Sequence, residues 1–170
     1  MTPGAPPPHW LGRAVDAIAA AALTVGSVAL AAMAAVQGWQ VFARYVLNDS
    51  PGWTEPVSLL LLNTVMMLGA SVGVRLASHF RFGLLAERAS PRMQHALHSF
   101  TNLLIVGVGA MLAVWGARLA VDGWDVALAG TSLPQGAMLL PVCIGGALMA
   151  LFALEHAVAG PVPPAAPEAD

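Results

Sequence analysis

His95 and His98 stand three residues apart, a spacing that puts two imidazoles on one helix face where they could hold a metal ion. No acid or thiol lies close by in sequence to complete the ligand set. The other histidines, His9, His79 and His156, fall in tails or at helix ends, whereas a bis-histidine haem in a helical bundle needs His pairs facing one another inside it. Cys143 is the single cysteine, so an intrachain disulfide, a dithiol relay and a Cys-based metal site are all excluded. The sequence therefore predicts no metal, no cofactor and no catalytic site.

What remains is a stretch that concentrates unusual side chains, QVFARYVLNDSPGWTE at 40–55. Arg44, Tyr45, Trp53 and Glu55 lie there beside an apolar run, in a chain with only 9% charged residues. Gln37, Gln40, Arg44 and Asn48 recur at helical spacing and make one narrow polar stripe. Two readings stand side by side. Arg44 can snorkel to lipid headgroups or meet a partner, and Trp39, Phe42, Tyr45 and Trp53 have the composition of an interfacial aromatic belt. Thr54 is placed to cap the following helix, with Glu55 and Pro56 in its first turn, where an acid favours the helix dipole.

These residues must be positioned by membrane-spanning helices. The chain has 170 residues, is 58% hydrophobic and has a mean hydropathy of +0.73, too apolar to cover a soluble domain. Four stretches, 17–43, 56–74, 93–117 and 126–154, carry no charge and are long enough to cross a hydrocarbon core about 30 Å thick. The expected fold is all-α and integral to a membrane, with helices over about 14–47, 55–75, 91–118 and 134–156 in one domain, 14–156. The first helix, about 51 Å long at 1.5 Å per residue, exceeds roughly 40–45 Å of bilayer and must tilt, bend or lie partly along the interface. Arg13 before an apolar run ending in ALAAMAA also has the form of a cleavable signal peptide. The run continues to Val36 at spanning length, which favours a retained helix. Residues 1–13 and 157–170, rich in Pro, Ala and Gly, are expected to be flexible tails.

The seven cationic residues are all Arg and are dispersed, so no nucleic acid partner is indicated. Arg75, Arg81, Arg88 and Arg92 flank or occupy the second loop, which places that loop and both termini in the cytoplasm. Within it HFRFGLLAER sets Phe80, Leu84 and Leu85 against Arg81 and Arg88, an amphipathic interfacial segment. The apolar runs contain no Asp, Glu, Lys or Arg. Their hydroxyls and amides, Thr24, Ser27, Asn63, Thr64 and Ser71, are expected to bond between helices. Small pairs suited to helix packing are Gly69 with Gly73, Ala22 with Gly26, and Gly146 with Ala150, and Pro141 is expected to kink the fourth helix.

Four segments in this order, VFARYVLNDSPGWTE, GASVGVRLASHFRFGLL, SPR and LPQGAMLLP, make the chain resemble the small permease (DctQ) family of tripartite ATP-independent periplasmic (TRAP) transporters over residues 14–154. The resemblance implies a non-catalytic scaffold in a bacterial inner membrane, both termini cytoplasmic, clasping the static part of a DctM-like large permease. That partner would carry substrate and sodium, and a DctP-like periplasmic protein would deliver a small, carboxylate-bearing solute. It further implies that Arg44, Tyr45, Trp53 and Glu55 match the family's aromatic-basic and Trp-Ser/Thr-Glu motifs, and that Arg75, His79 and Phe80 match its Arg-x-x-x-His-aliphatic pattern. Where the family commonly has further acids this chain has Pro56 and Gly83, so Glu55 acts alone. Membrane lipids are the remaining expected contact. Other classes open on the residues alone are an oxidoreductase anchor, a self-sufficient channel and an unassigned four-helix accessory protein.

Overall fold

The computed structural model describes residues 9–49, 51–77 and 91–159. It consists of α1 (His9–Tyr45), α2 (Thr54–Ala77), α3 (Pro91–Asp122), a short 3-10 helix (Gln135–Leu139) and α4 (Leu140–Ala159). Four of these helices are long and apolar enough to cross a membrane. The first begins at His9 rather than near Ala14 and leaves the helix at Tyr45 rather than Leu47. Its 37 residues reach about 55 Å. Asn48 stops it: the residue adopts a left-handed φ of 53°, which Asn tolerates, and the Asp49 N–H bonds back to the Ala43 carbonyl at 3.2 Å.

The helices pack as a row, α1 on α2, α2 on α4 and α4 on α3. Along α1 the buried positions are Val15, Ala22, Ala29 and Ala43, and Ala19, Gly26, Met33, Val36 and Gln40 between them are half-buried. Spacings of four and three alternate along this line, the 3.5-residue period of a left-handed helix pair. From Ala19 to Ala29 every seam residue is Ala or Gly, while Leu23, Val25, Val28 and Leu30 point outward. That is the inverse of a soluble helix, and it follows from the solvent: lipid is as apolar as Leu, so small residues gather where backbones meet. Ala22, Leu68 and Val72 form a core, with Leu148 of α4 packed against it.

The α3–α4 contact is closer. A Cβ added at Gly146 would lie 2.8 Å from the Ala113 nitrogen and the Gly109 carbonyl oxygen, and one at Gly109 would lie 2.7 Å from the Ala150 nitrogen. Gly145 likewise receives Met67 of α2. Of the small pairs noted in the sequence, Gly146 with Ala150 thus lies in a backbone contact, Ala22 with Gly26 lies in the looser seam, and Gly69 with Gly73 meets nothing within 4 Å among the described residues.

Candidate functional site

At one end of the row, three helix ends converge on Arg75, in the last turn of α2. Its Nη2 donates to Asp16 Oδ1 of α1 at 2.5 Å and its Nη1 to Glu155 Oε2 of α4 at 3.3 Å. The guanidinium carbon also lies 5.4 Å from the ring centroid of Phe152, which is fully buried. A planar fork that can meet two carboxylates while lying over an aromatic ring is a use for Arg that Lys cannot reproduce. The two arms differ: the Asp16 side chain is 70% exposed and that of Glu155 only 24%. The Glu155 arm is therefore the less screened of the two. His79 and Phe80, the other members of the expected pattern, lie outside the described residues, as does the amphipathic segment.

The opposite end carries Arg44, Tyr45, Trp53 and Glu55, all exposed. Arg44 and Tyr45 line a shallow groove on α1 with Gln37, Gln40 and Val41. Glu55 belongs to a different cleft, between the start of α2 and the third loop, with Gly52, Pro56, Leu59, Leu128, Ala129 and Met138. Arg44 and Glu55 form no ion pair with each other among the described residues. Trp39 and Phe42 stack in a tilted pair with centroids 5.9 Å apart.

The entry to α2 is built differently from the expected cap. The Trp53 carbonyl accepts the first helical bond, from the Val57 N–H at 3.2 Å, which makes Trp53 the cap residue. Thr54 is fully buried and its hydroxyl donates instead to the Pro51 carbonyl at 2.8 Å, tying the loop to the helix. The two loops at this end also meet: Gly130, at φ +83°, lies so close to Gly52 that a Cβ on it would sit 2.5 Å from the Gly52 oxygen. Only glycine suits both the backbone angle and the approach.

Pro141 stands in the first turn of α4, where the 3-10 helix runs into it. It has no N–H to donate to the Met138 carbonyl three residues back, and Asn63 Nδ2 of α2 donates there at 2.7 Å. Asn63 is thus an interhelical bond, as expected of it. Thr24, Ser27 and Thr64 instead bond the carbonyl four residues back, and Ser71 the one three residues back. A hydroxyl can satisfy itself within its own helix and needs no partner.

Sequence reasoning missed Asp16 and Glu155 as partners of Arg75, and the fully buried Asn102 of α3. A signal was present for the first two. With helices alternating in direction, an early residue of the first run and the last residues of the second and fourth fall at the same end, so one Arg and two acids there invite pairing.

The model of the DctQ component of tripartite ATP-independent periplasmic transporters matches residues 33–160. The chain belongs to the DctQ family. As a DctQ protein it is a transport component and not an enzyme. It is also similar to the sialic acid TRAP transporter small permease protein SiaQ of Vibrio cholerae, 25% identical over 127 residues, which span 74% of this chain and 73% of the relative. The DctQ match takes in α2, α3 and α4 and begins within α1, at residue 33. Of the Arg75 cluster it includes Arg75 and Glu155 and leaves out Asp16. Membership of this family implies assembly with a large permease and a binding protein.

Proposed function

We propose that this DctQ protein is the membrane scaffold of a TRAP-type secondary transporter, holding the static part of a large permease that imports a small carboxylate-bearing solute on a sodium gradient. A periplasmic binding protein supplies the solute, and this chain carries none. The observation behind this reading is the combination of apolar runs free of Asp, Glu, Lys and Arg with helices packed in a row rather than around a centre. Ion and proton pathways through a bilayer are generally lined by buried ionisable groups in mid-span; here the half-buried Arg75–Glu155 pair lies at the helix ends, which suits support rather than conduction. A row of helices is broad in the membrane plane and resists being dragged by a moving neighbour.

In this assembly the chain crosses a bacterial inner membrane with both termini in the cytoplasm, which the Arg-rich second loop supports. The Arg75 end is then cytoplasmic, and Arg44, Tyr45, Trp53 and Glu55 face the periplasmic headgroups. There they contact partner and lipid separately, since Arg44 and Glu55 open onto different grooves. Pro141 shapes the periplasmic start of α4.

The test is coexpression of the tagged chain with a DctM-like large permease from the same organism, gentle solubilisation, and reconstitution. Equimolar copurification is expected, together with uptake in proteoliposomes that needs both chains, a sodium gradient and the binding protein. A large permease that transports at full rate without this chain would defeat the scaffold reading.

A further inference from the structure

We propose that the groove of Gln37, Gln40, Val41, Arg44 and Tyr45 on α1 binds the phosphate of an anionic phospholipid, with an acyl chain lying below it along the same helix. This rests on the membrane placement proposed above and names the ligand of one of its surfaces.

The first observation is charge. Arg13 has Asp16 one turn on, Arg75 holds Asp16 and Glu155, and Arg118 has Asp122 one turn on. Arg44 differs from these three. One turn to either side of it stand Gln40 and Val41, then Leu47 and Asn48, and it forms no ion pair among the described residues. Its polar neighbours in the groove are two amides and a phenol, each able to donate a hydrogen bond, and no acid lines the groove. A guanidinium fork with its charge uncompensated, set among neutral donors, is suited to a phosphate. With no carboxylate there to receive an ammonium, the groove favours a headgroup of net negative charge over a zwitterionic one.

The second observation is depth. Asp16 meets Arg75 at one end of the row, and at 1.5 Å per residue Gln37 stands about 32 Å further along α1, one hydrocarbon thickness away. The groove therefore begins where the headgroups of the opposite leaflet begin. Trp39 and Phe42, stacked on another side of the helix, lie at this same level and have the chemistry of an interfacial belt. From Gln37 back toward the core the line continues through Ala34 to Leu30, both exposed, at the same alternation of three and four. Donors at headgroup level above an apolar strip match an amphiphile, whereas a soluble anion would leave the strip unused.

The experiment is native mass spectrometry of the purified full chain with phosphatidylglycerol or phosphatidylethanolamine added. Saturable phosphatidylglycerol adducts are expected, with phosphatidylethanolamine binding more weakly and glycerol 3-phosphate failing to displace either. Arg44→Ala should lower phosphatidylglycerol affinity about tenfold, as expected for one lost charge-assisted hydrogen bond, and Gln37→Leu should lower it less. Arg118→Ala, which removes a cation that already has an acid one turn away, should leave it unchanged. Equal affinity in the unmodified chain and Arg44→Ala overturns the inference, and so does displacement of the lipid by glycerol 3-phosphate. In the coexpressed complex, a photoreactive phenylalanine at Val41 is expected to label lipid. An adduct there with the large permease or the binding protein overturns the inference in favour of a protein contact. Failure of the chains to copurify overturns the assembly and leaves the lipid site standing, because the lipid measurement uses this chain alone.

Discussion

The two outer helices of the row are attached in opposite ways. α3 meets α4 through backbone: Gly109, Gly146 and Ala150 leave no room for one added carbon. α1 meets α2 through a line of small side chains with space left over, and an added Cβ at Gly26 would find its nearest neighbour, Leu68 Cβ, at 3.9 Å. Between helices in lipid, attraction comes from packing and hydrogen bonds, both of which fall off steeply with distance. The α3–α4 pair therefore holds itself, while α1 needs help. It receives that help at its N-terminal end, where Asp16 reaches Arg75, which also holds Glu155 of α4.

The largest effect expected from breaking this contrast is at Gly136, where the 3-10 helix crosses α3. A Cβ there would overlap the Ala120 carbonyl oxygen, and because the obstacle is backbone no side-chain rotation can relieve it. Gly136→Ala should cost about 3 kcal/mol, at the upper end of usual overpacking penalties, and lower the unfolding temperature in detergent. Next comes Arg75. Arg75→Ala leaves the Glu155 carboxylate half-buried without its cation and removes the contact over Phe152, for a loss of about 1.5–3 kcal/mol by the same measurement. Arg75→Lys should recover only part of it, because an ammonium cannot lie flat on the ring while reaching both acids. Asp16→Asn, on the exposed arm, should cost less than about 1 kcal/mol. An Asp16 effect equal to that of Arg75 would mean that the α1 attachment carries the cluster and not the Glu155 arm.

The contrast also explains what could be read in advance. Four spanning helices are evident from uncharged length alone, because a bilayer fixes how many apolar residues a crossing needs. The packing is not evident that way, since in helices apolar all round hydropathy has no period to reveal a buried face. Residue size does have one: Val15, Ala19, Ala22, Gly26 and Ala29 fall on the 3.5-residue line that the structure buries. At the candidate site, Arg75 was legible as a charge at a helix end, but its partners lie far along the chain and only the fold joins them. Thr54 was legible as a helix start, yet which residue caps depends on how Pro51 turns the loop, a backbone matter that side-chain identity does not determine.

The smallest change tests the looser attachment directly, and its sign differs from the others. Gly26 sits in the α1 seam, half-buried, where an added methyl would make an ordinary van der Waals contact with Leu68. Alanine is the better helix former by about 0.5–1 kcal/mol, and nothing in the seam opposes that gain. Gly26→Ala should therefore leave the unfolding temperature unchanged or raise it slightly, whereas Gly146→Ala, at a position equally small in sequence, should lower it through overlap with Gly109 and Ala113. If both variants were destabilising, α1 would have to lie as close to α2 as α3 does to α4, and the Arg75 cluster would lose its reason to hold it. Opposite signs would show that one outer helix is joined tightly and the other with room to spare.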